Sequence, residues 1–218
     1  MATKKKLKKR QSRTSAANKA GKAVRSAVRK VEKTVKKAVA GTQYKNLHEL
    51  LVLKLQSLYD IESELVKALP KLARAANSYE LKEAFETHLN ETKGHVVRLE
   101  EAMRILGVKP RKEKVNGIRG IASDSDWVAG HTTTQARDAA LIAAAQYAEH
   151  YEMAGYTAAR EWAAMMDHRE IADLLDTTLL EEQAANEKLA ELAHNGINQK
   201  AGGISMEEEP AEIDTVVM

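Results

Sequence analysis

Between residues 50 and 195 the apolar positions recur at spacings of three and four, the repeat of helices that bury one face. Leu51, Leu55, Leu58, Glu62, Leu65, Leu69 and Leu72 alternate between the two spacings. They predict a first helix, with a kink or restart at Pro70. A second helix is predicted to open at the capping-box pattern Asn77-x-x-Glu80. Its stripe runs Leu81, Phe85, His88, Glu91 or Thr92, His95, Leu99, Ala102 and Leu106, and Gly107 ends it. A third runs from about Thr134 to Met166. The fourth is predicted from Asp167-x-x-Glu170 through Ile171, Leu174, Thr178, Glu181 or Glu182, Ala185, Leu189 and Leu192, stopping near Asn195-Gly196.

The connections carry the topology. Two are short, whereas helices two and three are separated by Gly107 to Thr133, with a short helix expected around Ile118–Val128. Helices of about 26 residues span about 39 Å. A connection of that reach crosses the length of a bundle, so helices two and three can run parallel. Short–long–short is the pattern of ferritin-like bundles rather than of up-down-up-down ones. An internal repeat agrees: His88-Leu89-Asn90-Glu91-Thr92 with Leu99 aligns with Thr178-Leu179-Leu180-Glu181-Glu182 and Leu189. The predicted class is all-α, a ferritin-like four-helix bundle over residues 43–195.

Charge divides the chain further. The 218 residues carry a formal net charge of only +3. Residues 1–40, however, hold fifteen Lys or Arg and one acid, Glu32, leaving the remainder with 19 bases and 30 acids. This asymmetry separates a basic arm, residues 1–42, from an acidic body. Residues 196–218 are expected to form a flexible tail. In the arm Val24, Val28, Val31, Val35 and Val39 make a narrow stripe, which predicts a nascent helix that orders on a partner. With no cysteine in the chain, disulfides, thiol nucleophiles and thiolate metal sites are excluded. No apolar run approaches the length of a membrane span, and the charged N-terminus lacks the apolar core of a secretory signal.

Against that background, the acids on apolar stripes stand out. Glu62 lies between Leu58 and Leu65 on a core-facing register. Buried there, it needs a cationic partner or a metal; otherwise the helix is rotated so that it meets solvent. Helix two offers His88 and Glu91, three apart, and His95 further on; helix three offers Glu149 and Glu152; helix four offers Glu181 and Glu182. Each helix thus brings an acid to mid-length. Four carboxylates balance two divalent cations, and carboxylate with imidazole is a ligand set suited to iron or manganese. His95 reads equally as a satisfied core histidine, and His150, next to Glu149, points to a different face. Tyr59, Tyr147, Tyr151 and Tyr156 read as packing residues with an outlet for the hydroxyl.

Four blocks carry a family likeness: LHELLVLKLQSLYDIESELVKALPKLARAA, LKEAFETHLNETKGHVVRLEEA, RDAALIAAAQYAEHYEMAGY and LLDTTLLEEQAANEKLAELA. In this order they resemble the bacterial YciF/YciE-type stress proteins of the ferritin-like superfamily, over about residues 44–194. The resemblance implies a homodimer, a stress-response setting and a dinuclear Fe or Mn site. Carried over by motif, the implied metal ligands are Glu62, His88, Glu91, Glu149, Glu152, and Glu181 or Glu182. The chain departs from the ferritin and rubrerythrin Glu-x-x-His pattern. Glu91 is followed at that offset by Gly94, and helix four has no histidine near Glu181.

Two functions follow as expectations. One is a redox stress protein that consumes peroxide or oxidises Fe(II), with peroxide, O2 or Fe(II) as small substrates. The other is a metal-free dimeric scaffold whose arm, through residues 1–40, binds DNA without sequence preference. Six to ten phosphate contacts would cost about 10³–10⁵ in affinity between 50 and 200 mM salt. Either role places the protein in the cytoplasm, associated with the nucleoid in the second case.

Overall fold

The computed structural model describes residue 30 and residues 43–203. The chain divides into two compact units, Met1–Lys45 and Asn46–Met218, and the description here is of the second. The expectations for the arm, and for the tail beyond residue 203, lie outside the described residues.

Five helices of at least sixteen residues build this unit: α1 (Leu47–Ala75), α2 (Tyr79–Ile105), α3 (Asn116–His131), α4 (Thr134–Met165) and α5 (Arg169–Leu192). Among the described residues there is no strand. α1 runs unbroken through Pro70, without the predicted restart. The cap of α2 also differs from expectation. Ser78, not Asn77, accepts from the Leu81 amide at 3.3 Å. Asn77 is held instead by α4, its backbone N–H donating to Asp138 at 2.8 Å. Asp167 does not cap α5; it takes a left-handed φ of 59° in the turn, and α5 begins two residues later.

Local contacts fix the helix directions. The α1–α2 corner at Asn77 and Ser78 meets the start of α4 through Thr134 and Asp138. The rings of His48 and His168 lie 6.3 Å apart, placing the α4–α5 corner beside the start of α1. α2 and α4 therefore run parallel, and α1 and α5 run antiparallel to them. This is the topology that the long connection predicts. The connection itself is pinned along α1. Glu113 N–H donates to the Gln56 carbonyl at 3.0 Å, and buried Asp60 accepts from the Val115 amide at 3.0 Å and from Arg119 at 2.6 and 3.0 Å. The helix within it, α3, spans sixteen residues, two to three more at each end than the apolar pattern implied.

Leucines from the predicted stripes fill the core, with Leu51, Leu55, Leu58, Leu81 and Leu99 all essentially inaccessible; Leu141 joins them, and on α5 Leu175 takes the buried place predicted for Leu174, which is only half-buried. α1 and α4 pack closely because Gly155 has no side chain; a Cβ there would lie 2.9 Å from Leu58 Cδ2. Beyond α5 the chain kinks within Ala193–Ile197, where Asn195 and Gly196 leave helical backbone angles, and continues into a short helix α6, Asn198–Ala201. Gly196 breaks the helical path there with φ 132°. Structured chain thus extends past residue 195, and Gln135 ties it to α4 by donating to the Lys200 carbonyl at 2.7 Å.

Candidate metal centre

At mid-bundle the leucine layers give way to a polar one. Glu62 from α1, His88 and His95 from α2, Glu149 and Glu152 from α4, and Glu182 from α5 are all buried. Each occupies a place on its helix where the three–four repeat demands an inward residue, so the same periodicity that builds the core delivers these groups to it. Their ligating atoms form two groups, each with all atoms within 4.8 Å of one another: His88, Glu149, Glu152 and Glu182; and Glu62, His95 and Glu182.

Glu182 joins the two. Its Oε2 lies 3.7 Å from His88 Nε2, and its Oε1 lies 3.0 Å from His95 Nδ1. His88 Nε2 also faces Glu149 at 3.4 Å, and His95 Nδ1 faces Glu62 at 3.5 Å. The other nitrogen of each imidazole points away from the cluster to a more exposed acid. His88 Nδ1 faces Glu91 at 3.4 Å, and His95 Nε2 faces Glu181 at 2.9 Å. Glu181 is in turn clamped by both terminal nitrogens of Arg98, at 2.6 and 2.8 Å. Histidines that bind metal characteristically give their second nitrogen to such a carboxylate, which fixes ring orientation. Of the seven sequence-derived candidates, then, Glu62, His88, Glu149, Glu152 and Glu182 come together, and Glu91 and Glu181 stand behind the imidazoles.

Electrostatics alone do not satisfy this layer. Glu62 Oε2, His88 Nε2, His95 Nδ1, Glu149 Oε2 and both oxygens of Glu152 and of Glu182 are buried without a hydrogen-bond partner among the described residues. Burial pushes the Glu149 and Glu152 carboxyls well above the usual range, with Glu182 and other acids reinforcing it. Glu62 is raised by burial too, although His95 opposes this. Glu182 is held low: burial would raise it, but His95 and His88 outweigh that. Burial by itself would lower both imidazoles; the carboxylates overcome it and lift His88 to about 9 and His95 to about 10. Buried polar groups are ordinarily paired, since each orphan costs about 1–3 kcal/mol. Eight such atoms from two imidazoles and four carboxylates fit a pair of divalent cations with oxygen and nitrogen ligands.

Sequence reasoning left one member of this site open between ligand and core histidine, and missed another. His95, inaccessible to solvent, sits at its centre. Its place seven residues after His88, on the same stripe, was the available signal. Tyr156, also inaccessible, donates its hydroxyl proton to Glu62 Oε1 from α4. Nothing in its spacing distinguished it from a packing tyrosine. The departure from Glu-x-x-His also becomes concrete. Three residues before His95 stands Thr92, whose hydroxyl is taken by the His88 carbonyl at 2.7 Å, and three after Glu182 stands Ala185. Both imidazoles therefore come from α2. His150 is exposed on the opposite face of α4.

Fold and site together define a ferritin-like helical bundle with a buried carboxylate–imidazole cluster. The chain belongs to the family described as Domain of unknown function (DUF892), which matches residues 46–202. It is 38% identical to protein YciF of Escherichia coli (strain K12) over 159 residues, 72% of this chain and 96% of that protein. The crystal structure of the E. coli stress protein YciF matches with a TM-score of 0.69 and 37% identity, covering 72% of this chain and 99% of that one. A structure of ferritin-like, diiron-carboxylate proteins from Bacillus anthracis str. Ames matches with a TM-score of 0.53 and 19% identity, over 68% and 99% of the chains. That likeness bears on the fold. The family read from the four sequence blocks is borne out, as is the all-α ferritin-like architecture.

Proposed function

We propose that the bundle is a stress-response protein that holds two Fe or Mn ions and uses them to consume peroxide or to oxidise Fe(II). The observation that carries this reading is the set of eight buried ligand atoms at mid-bundle that make no hydrogen bond among the described residues. His88, Glu149 and Glu152 would hold one ion and Glu62 and His95 the other, with Glu182 offering an oxygen to each. Such a metal pair supplies Lewis acidity and redox electrons between two closely spaced centres. The chain's own residues do the rest. Glu91 and Glu181 orient the imidazoles, Arg98 fixes Glu181, and Tyr156 holds Glu62 by a hydrogen bond.

Elemental analysis of protein prepared with iron and with manganese tests the reading. About two ions per chain are expected, lost in the Glu62→Ala, Glu149→Ala double variant. No stoichiometric metal would refute it. Turnover of hydrogen peroxide against Fe(II) oxidation by the loaded protein then decides between the two reactions.

A second role rests on the charge of residues 1–40, with fifteen bases to one acid. The arm associates with DNA through phosphates, consistent with a homodimer placed at the nucleoid in the cytoplasm. Binding that weakens steeply with salt and disappears on deleting residues 1–40 is the expected result. Equal binding by the truncated chain would overturn it. Sedimentation of the full chain measures the dimer directly.

A further inference from the structure

Six residues make up the two ligand groups, and solvent reaches only two of them. Glu62, His95, Glu152 and Glu182 are 0% exposed, whereas His88 is 5% and Glu149 3% exposed. Both of these line one cavity of about 400 Å³ between α2 and α5. Its inner end presents His88 Nε2 and Glu149 Oε2, both buried and unpartnered among the described residues. Its lining includes the apolar side chains of Phe85, Ala185 and Leu189 and the exposed acids Glu80 and Glu83 at the start of α2, while Glu91 lies beside His88. The one base on the lining, Lys188, has its charge answered by Glu191 at 2.9 Å.

We propose that this cavity is the passage by which a hydrated divalent cation reaches the centre, with the acidic mouth as its collecting end. The inference rests on the metal reading above. The cavity has room for several waters. Charge favours it, because acids at a low-dielectric mouth concentrate cations. The walls then offer the ion almost nothing to bind, so it is not detained before His88 and Glu149. Ala185 is among the residues that line the cavity. It lies one turn beyond Glu182 on the same face of α5, where the Glu-x-x-His pattern would put a histidine. A larger side chain there would stand across the passage.

Stopped-flow mixing of the metal-free full chain with Co(II), followed by the visible absorbance of the bound ion, tests the proposal. In Ala185→Leu, uptake is expected to slow by about tenfold or more, because the leucine must swing aside for each ion. Release should slow by the same factor, leaving Kd and stoichiometry unchanged. The surface double variant Glu80→Gln, Glu83→Gln cannot disturb the core. Its uptake should fall about three- to tenfold at low ionic strength and match wild type at high salt. Wild-type uptake rates in both variants would overturn the passage while leaving the metal reading intact. Loss of stoichiometric Co(II) in Ala185→Leu, rather than slowing, would also overturn it by placing Ala185 within the binding site. A wild-type chain that takes up no Co(II) would overturn the metal reading and the passage with it.

Discussion

Replacing Glu152 by glutamine should stabilise the metal-free protein and destabilise the metal-loaded one relative to wild type. Glu152 is fully buried, and neither of its oxygens has a hydrogen-bond partner among the described residues. Burial is the main cause of its raised pKa, followed by Glu182, Glu62 and Glu149, so its carboxyl is held among like charges. Glutamine has nearly the same shape, leaves no cavity, and replaces a carboxyl whose charged form is disfavoured here with an amide that carries no charge and can donate twice into a cluster of acceptors. A hydrogen bond to a charged group contributes about 1.5–3 kcal/mol, so one good bond gives about 2 kcal/mol. In a domain of this size that raises Tm by about 4–8 °C. Metal reverses the order. At a free concentration 100 times Kd each occupied site adds about 2.7 kcal/mol, and the variant has lost an anionic ligand to one of them. Thermal unfolding by circular dichroism, once in chelator and once with excess Mn(II), should therefore show the two Tm curves change places. A variant less stable than wild type in chelator would refute the reasoning, because Glu152 would then be satisfied within the protein itself.

Three further outcomes are expected. Folded-state pKa values of about 9 for His88 and 10 for His95 lie above the ordinary 6.5, so their stabilisation is full below pH 6.5 and lost as pH rises through 9–10. Raised Glu62, Glu149 and Glu152 act in the same sense, and Glu182 opposes them on the acid side; the urea midpoint of metal-free protein should fall between pH 6.5 and 10, and a rising midpoint would contradict this. Glu181→Gln, which weakens the orientation of His95 without removing a ligand, should cost about 10–100-fold in metal affinity by titration, while Glu101→Gln, paired with Arg104 away from the site, serves as a neutral control. Asp60→Ala removes the acceptor for Val115 N–H and Arg119; with Arg119 partly solvated, a loss of about 1–3 kcal/mol in urea unfolding is expected, accompanied by faster proteolysis between Gly107 and Asn116.

Periodicity alone determined the helices and their order. Alternating three- and four-residue spacings can be satisfied only by helices with one buried face, and the length of the connection between α2 and α4 allows these two helices to be parallel. The same repeat put Glu62, His88, Glu149, Glu152 and one of Glu181 and Glu182 inward, because a side chain's direction on a helix follows from its position in the repeat. What the sequence could not determine is which atoms meet, since that depends on how far each helix is rotated and slid against its neighbours. Adjacent Glu181 and Glu182 are indistinguishable in a pattern, yet a rotation of 100° sends one to the core and the other to Arg98. His95 stays open between ligand and core histidine, and Tyr156 reads as ordinary packing, until α1 brings Glu62 between them. Helix ends were decided from outside as well: Asp138 of α4 holds Asn77, so the cap falls to Ser78. The carboxylates were legible one helix at a time. Their convergence, and the cavity left where Ala185 stands, belong to the packed bundle.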